Sequence, residues 1–276
     1  DAIVMPHLYP AETLTYMKRK GVSLPLTVVV MTDYTCIPFW EETDCDYYIV
    51  PHEELLDTCV KRGIPEEKLL PFGIPVSRRF RMKADKEKAR EYLGFPKDRK
   101  MFLLMGGSMG AGDLEKLTDR LWKEIGGLEG IAVICGSNKK IFQKLKKKYE
   151  GEKDVFIIGK TRQMELYMKA CDIIYTKPGG LTSTEAAVSR IPIVHTAPIP
   201  GCESANRRFF VRHKMSIAPK SIEDQVEEGI RLLESPDQIQ AMKEAQKSCI
   251  SGRAAEKIAD FLEEKLDHCE KEGKGI

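Results

Sequence analysis

The sequence predicts an α/β protein of two parallel-sheet units, the first incomplete and the second a complete doubly wound sheet. Three observations carry that expectation. Short β-branched and apolar runs alternate with helical patterns along the 276 residues, the order that parallel folds require. The run at 26–31 is apolar or β-branched without a break, as a strand covered on both faces is. Two glycine turns, at 106–112 and 177–180, each lie between a strand and a helix, where open α/β sheets bind ligands.

In chain order, 2–5 reads as a strand and 11–20 as a helix that stops at Gly21, because glycine accepts the left-handed conformation that closes a helix. Residues 26–31 and 46–50 are the next strands, 53–62 is a helix ending at Gly63, and 68–72 is a short last strand. Gly73-Ile74-Pro75-Val76 reads as a hinge. The first domain, 1–76, begins abruptly inside a strand, so it is expected to lack its front. A basic helical link over 78–93 opens the second domain, expected over 77–252. Its strands are 101–105, 131–135, 155–158, 172–176 and 191–195, with a short one at 215–218. Helices are expected at 114–125, 139–149, 163–170, 184–189, 203–212, 222–233 and 236–249. A last helix from 253 to 267, with the tail to 276, is set apart from both.

Composition excludes several classes. Lys and Arg number 44 against 42 Asp and Glu, so global charge gives no argument for nucleic acid. The longest apolar run, 24–31, is far short of the roughly 18 residues a membrane-spanning helix needs. The amino end has no basic flank or cleavage pattern of a signal peptide. Eight scattered cysteines form no CxxC pair and no metal-finger spacing, which suits small buried thiols in a reduced cytosol.

Chemistry is sought at the two glycine turns. Gly106-Gly107-Ser108-Met109-Gly110-Ala111-Gly112 follows the strand ending at Met105. Glycines let backbone amides approach a phosphate, and a helix amino end adds partial positive charge. No Lys-Ser/Thr pair follows, so the turn is not a P-loop, and a tight turn needing small residues is an equal reading. Lys177-Pro178-Gly179-Gly180-Leu181-Thr182-Ser183-Thr184-Glu185 is the second turn. Its amides can hold a diphosphate while Glu185 accepts hydrogen bonds from ribose hydroxyls. The rival reading is a capping box, Thr182-x-x-Glu185, in which the carboxylate only satisfies backbone donors. Segment 191–206 supplies another strand, a proline-rich loop and a helix start bearing Cys202, Glu203 and Asn206. Two polar helix starts one strand apart make a binding-site geometry.

Four passages together resemble one enzyme family: Val30-Met31-Thr32-Asp33 with Pro38-Phe39-Trp40, Gly73-Ile74-Pro75-Val76, Gly106-Gly107-Ser108-Met109-Gly110, and Lys177 through Asn206. The chain resembles the GT-B glycosyltransferases that include monogalactosyldiacylglycerol synthase and the processive diacylglycerol glucosyltransferases, over nearly its whole length to about Leu266. The resemblance implies two Rossmann-like domains and inverting transfer of a hexose from a UDP-sugar to a diacylglycerol-type lipid, with no metal and no cofactor. Gly107, Ser108 and Gly110 would meet the diphosphate with Gly179, Gly180, Leu181 and Thr182. Glu185 would bind the ribose, Ile158 and Met164 would flank the uracil, and Cys202, Glu203 and Asn206 would lie by the sugar. Cys202 stands where the family commonly has glutamine, and Ser77 precedes Arg78 where many relatives place arginine.

Asp33, past a buried strand, is the first choice for a catalytic carboxylate, against the alternative of a turn with Thr35. His7, also past a strand end, is the second. His195 and His213 read as structural or donor-proximal rather than catalytic. Lysines 139, 140, 144, 146, 147 and 148 cluster around one helix, which reads as a solvated face or as attraction to an anionic membrane surface. Phe39 and Trp40 either fill the core or dip into an interface. A cytoplasmic enzyme, peripheral on the inner face of the cell membrane, is therefore expected. Its rivals are a nucleotide-sugar-binding fragment without catalysis and a UDP-sugar epimerase of the same architecture.

Overall fold

The computed structural model of this chain describes residues 1–82, 85–106 and 113–273. They fold into two compact units, Asp1–Ser77 with Ser251–Ile276, and Arg78–Ile250.

The first unit contains β1 (Ala2–Met5), α1 (Leu8–Arg19), β2 (Leu26–Val30), β3 (Tyr47–Ile49), α2 (Leu56–Lys61) and β4 (Leu69–Leu70). The strands form one parallel sheet in the order β1-β2-β3-β4. Alternate residues of a strand point to opposite faces, and β2 uses both. Val29 and Met31 pack with Met5, Ala11, Trp40, Tyr48 and Cys59 on one side. Val28 and Val30 pack with Ile49 on the other, where Ile258 and Leu262 of the C-terminal helix (Ala254–Gly273) close the layer. The ring of Phe261 from the same helix meets Tyr47 edge-on at 4.8 Å and Phe72 at 5.9 Å. The unbroken apolar character of β2 thus has a cause: the second face is covered by a segment at the far end of the sequence.

The second unit begins with α3 (Arg78–Arg81) and α4 (Lys86–Leu93) and continues with β5 (Met101–Met105), α5 (Leu114–Ile125), β6 (Gly130–Ile134), α6 (Lys139–Lys148), β7 (Val155–Ile158) and α7 (Met164–Ala170). It closes with β8 (Ile173–Thr176), α8 (Gly180–Ser189), β9 (Ile193–His195), α9 (Cys202–Arg212), α10 (Ile222–Leu233) and α11 (Pro236–Cys249). All five strands are parallel, in the order β7-β6-β5-β8-β9. Every residue of β5 and β6 is buried, as helices on both faces demand. Helix α10 lies against α5, while α7 and α8 lie against each other with α4, α3 and α11 around them. Close approach of α10 to the sheet depends on Gly229, where a Cβ would stand 1.8 Å from the Tyr175 hydroxyl.

At the strand-start edge, Asp172 accepts from the Met101 amide and from Arg90 Nη2, both at 2.8 Å. Arg90 is itself buried and donates to the Ala170, Lys97 and Arg99 carbonyls, so one ion pair pins β5, β8 and α4 together.

Three expectations shift. The segment at 215–218 forms only an isolated bridge, Val194↔Ile217, and no strand. The helix expected over 53–62 opens as a 3-10 turn, Glu53–Leu55, capped by His52. Helix α8 begins at Gly180, a full turn before 184, with consequences at the site. Five of the cysteines are buried thiols and two are half-buried, with no disulfide among the described residues.

Because the C-terminal helix supplies one whole face of the first unit's core, Ile258→Ala should cost that unit about 2–4 kcal/mol. Urea unfolding in a Trp122→Phe background, where Trp40 emission reports the first unit alone, is the measurement. A loss under about 0.5 kcal/mol would show that the helix is dispensable there.

Candidate functional site

Strand order in the second unit reverses between β5 and β8, which pair in register to their last residues, Met105↔Thr176. Ligands of open α/β sheets bind outside the strand ends at such a reversal. Both glycine turns leave the sheet at this point. Gly106 is buried at the end of β5, whereas Gly107, Ser108 and Gly110 lie outside the described residues.

The second turn is fully described. Gly179 is the N-cap of α8, no side chain caps the helix, and the first helical bond runs from the Ser183 amide to the Gly179 carbonyl at 2.9 Å. The amides of Gly180, Leu181 and Thr182 are thereby left without helical partners. Gly179 has φ −71°, which any residue adopts, and a Cβ built there meets nothing within 4 Å among the described residues. Neither backbone strain nor protein packing accounts for glycine at this position.

Because α8 starts early, Thr182 is in its first turn instead of capping it, and Glu185 sits beyond reach of the helix start. The capping-box reading fails. Glu185 is half-buried and, among the described residues, makes no hydrogen bond or ion pair. Its carboxyl is pushed up to about 7, by burial first and by Glu165 on α7 second. Glu165 itself faces Arg79 at 3.8 Å. A half-buried acid with no donor is the arrangement a ligand hydroxyl would complete.

Behind this turn the helix is fixed. Ser183 and Ser216 hydroxyls lie 3.0 Å from His195 Nε2 and Nδ1, and His195 is wholly buried at the end of β9. Burial, then Arg207, pulls its imidazole down to about 3, so it stays neutral and structural. Helix α9 starts one strand over, after Gly201 at φ 109°. Glu203 Oε2 accepts from the Ile199 amide at 2.6 Å, which folds the proline-rich loop onto the helix start. Cys202 is half-buried, and Asn206 is wholly buried on the inner side of α9. Ile158 ends β7 and Met164 starts α7, both half-buried on the same sheet edge.

Sequence reasoning assigned no role to Lys177 or Lys220. With Gly106, Thr196, Ala197 and Gln225, they line a cavity of about 170 Å³ at the ends of β5, β8 and β9. Lys177 was visible as the residue before Pro178, and Lys220 and Gln225 come from a remote segment that no local pattern marks.

In the first unit, Asp33 lies half-buried in a bend past the end of β2. His7 is exposed and caps α1, its Nδ1 accepting from the Tyr9 amide at 3.3 Å. The strands they follow are neighbours, with Met5 opposite Val29. Trp40 is buried in the core, as one of its two readings had it, and Phe39 is exposed, at φ 80°. On α6, Lys144 pairs with Glu115 at 2.7 Å and Lys148 with Asp119 at 2.6 Å, so part of the lysine cluster is spent on α5. No group of acidic, His and Cys side chains suited to a metal occurs among the described residues, and no described helix is long and apolar enough to cross a membrane.

Residues 1–76 match the family described as monogalactosyldiacylglycerol (MGDG) synthase, and residues 85–248 match glycosyl transferases group 1. A processive diacylglycerol beta-glucosyltransferase of Bacillus mycoides (strain KBAB4) is 26% identical over 261 residues, which cover 94% of this chain and 67% of that protein. One of Bacillus cereus (strain B4264) is 27% identical over 247 residues, covering 89% and 63%. The chain therefore spans between 63% and 67% of the length of these relatives. Among solved structures, Acinetobacter baumannii MurG superposes with TM-score 0.68 at 15% identity over 96% of this chain and 73% of that one. S. aureus MnaA with UDP gives 0.69 at 14% identity over 96% and 75%. These two likenesses establish the fold, two Rossmann-like domains of GT-B type.

The Glu185 carboxyl makes stability pH-dependent in a definite direction. Unfolded, it loses its proton near 4.5, and folded, near 7, so the native state is weakened as pH rises through that window. Glu185→Gln should be more stable than wild type at pH 8 by about 1–3 kcal/mol and equal to it at pH 4.5. Urea titrations of both proteins at the two pH values measure this, and a pH-independent difference would contradict it.

Proposed function

Since the chain belongs to the glycosyl transferases group 1 family through residues 85–248, we propose that its second unit binds a UDP-sugar at the β5/β8 reversal. The sugar is then passed, with inversion, to the hydroxyl of a diacylglycerol-type lipid. The observation that carries the donor half is the start of α8: three unpaired amides, open space at Gly179, and a partnerless Glu185 one turn deeper. Diphosphate oxygens suit the amides, and ribose hydroxyls suit a carboxyl that has no other donor. The acceptor half is supported by the match of residues 1–76 to MGDG synthase and by the names of the curated relatives.

In this reading the acceptor oxygen attacks the anomeric carbon opposite the bond to the diphosphate. As that bond breaks, negative charge grows on the departing oxygen. The amides at 180–182 and the ammonium of Lys177 meet it there, fixed in place before the reaction and so needing no reorganisation. Asp33 takes the acceptor proton, and His7, with Nε2 not used for capping, is the second candidate. Cys202 and Glu203 stand at the sugar side, with Asn206 behind them, while Ile158 and Met164 flank the base. Tyr9, its ring 4.9 Å from that of His7, and Phe39, 72% and 52% exposed, offer apolar surface to a lipid. The remaining lysines of α6 offer charge to an anionic membrane, which supports a peripheral position on its cytoplasmic face.

Two substitutions test the donor site. Glu185→Ala should abolish UDP binding in calorimetry while the melting temperature at pH 8 holds or rises. Gly179→Ala should weaken UDP at least tenfold with melting unchanged within about 2 °C, since its φ suits alanine. Unchanged UDP affinity in both would remove the donor assignment. For the reaction itself, mass spectrometry should find hexosyl-diacylglycerol after incubation with UDP-glucose or UDP-galactose and diacylglycerol vesicles. A UDP-sugar altered without lipid would instead favour an epimerase, whose fold this chain also shares.

A further inference from the structure

The opposite edge of the same sheet holds a second, larger concavity. It encloses about 710 Å³ below the starts of β8 and β9, between α3, α7, the end of α8 and α11. Among the described residues, six cationic side chains line it, Arg81, Lys86, Lys100, Lys169, Arg190 and Lys243, against a single carboxylate, Asp172. That carboxylate is already committed: it holds Arg90 Nη2 at 2.8 Å and the Met101 amide at 2.8 Å, and Lys86 takes its other oxygen. Lys100 and Lys243 make no hydrogen bond or ion pair among the described residues. Lys243 is half-buried, and burial, then Lys86, then Lys100 depress its ammonium despite Asp172. Lys169 and Arg190 are likewise half-buried and depressed by burial. Lys169 donates to the Met82 carbonyl and Arg190 to the Ala187 and Ile250 carbonyls, which leaves exposed Lys100 and half-buried Lys243 without a partner among the described residues, and crowding such cations raises the free energy of the empty protein. A basic side chain that only keeps a surface soluble would extend away from its neighbours.

We propose that this cavity is a binding site for a phosphomonoester, a compact dianion, separate from the donor site. Lys100, Lys243 and Lys86 would meet the phosphate, and Lys169 would close the site from α7. Phe80, Met168 and Ile239 give the organic part of the ligand an apolar wall. The requirement is for two negative charges in a small volume, because the local excess of positive charge exceeds what one carboxylate could offset. Arg190 ends the helix whose first turn faces the donor edge, so occupancy is placed at the far end of α8 from the diphosphate amides.

Calorimetry with glycerol 3-phosphate, in saturating UDP so that the donor edge is occupied, tests the site. One-to-one binding is expected, at least tenfold weaker in Lys100→Gln/Lys243→Gln and lost in Lys243→Glu, with UDP affinity the same in all three proteins. The double variant should melt at the wild-type temperature or above, because it relieves repulsion, and Lys100→Arg/Lys243→Arg should keep binding. Vesicles of phosphatidylcholine with and without a lipid phosphomonoester separate the sources: competition by the lipid with glycerol 3-phosphate identifies a headgroup, and no competition a soluble metabolite. The absence of saturable binding, equal binding by the glutamine variant, or a melting temperature lowered by 5 °C or more in it would each overturn the proposal. Loss of UDP binding by the wild-type protein would count against the donor site alone, and glycerol 3-phosphate titrated without UDP would still decide this one.

Discussion

The register of β5 against β8 governs the second unit. Their pairing runs from Phe102↔Ile173 to Met105↔Thr176, and it is held at the start by Asp172, which bonds the first amide of β5 and the buried Arg90. A one-residue slip would turn every side chain of a strand to the wrong face. It would also separate the two turns that leave the sheet at its reversal, and with them the amides at 180–182. The chemistry at one edge thus depends on an ion pair at the other. Buried pairs of this kind give little net stability but are costly to break singly, which suits a device that fixes register.

Most of the fold was legible because parallel strands covered on both faces leave a strong mark: β2, β5 and β6 are apolar runs bounded by glycine, proline or charge. The failures have physical causes. Residues 215–218 look like a strand, yet β9 offers only the three residues Ile193–His195, too short for more than the bridge at Ile217. The start of α8 was displaced by Thr182-x-x-Glu185, a capping signal that real capping would obey. In the fold, glycine at 179 already lets the chain enter the helix, and the threonine is carried into the first turn.

At the site, sequence reasoning named residues whose chemistry is local to a turn, such as Gly179 and Glu185. What it could not supply is desolvation. Nothing in the spelling of Glu185 says that its carboxyl is held half-buried near Glu165 with no donor among the described residues, and that environment is what supports the proposed ligand role. Lys177 and Lys220 were missed for a related reason, since they meet only after β8 and the segment before α10 have been brought to one edge. His195 shows the converse. Serine hydroxyls on both of its nitrogens favour the structural reading over the donor-proximal one.

The C-terminal helix has a meaning for biosynthesis. Until it leaves the ribosome, the inner valines of β2 and Ile49 have no lid, and the nascent first unit must wait through synthesis of the entire second unit with an oily face open to water. The sheet nearest the amino end is therefore the last to mature. Chaperone demand, and the vulnerability of the chain to premature termination, should both centre on that interval.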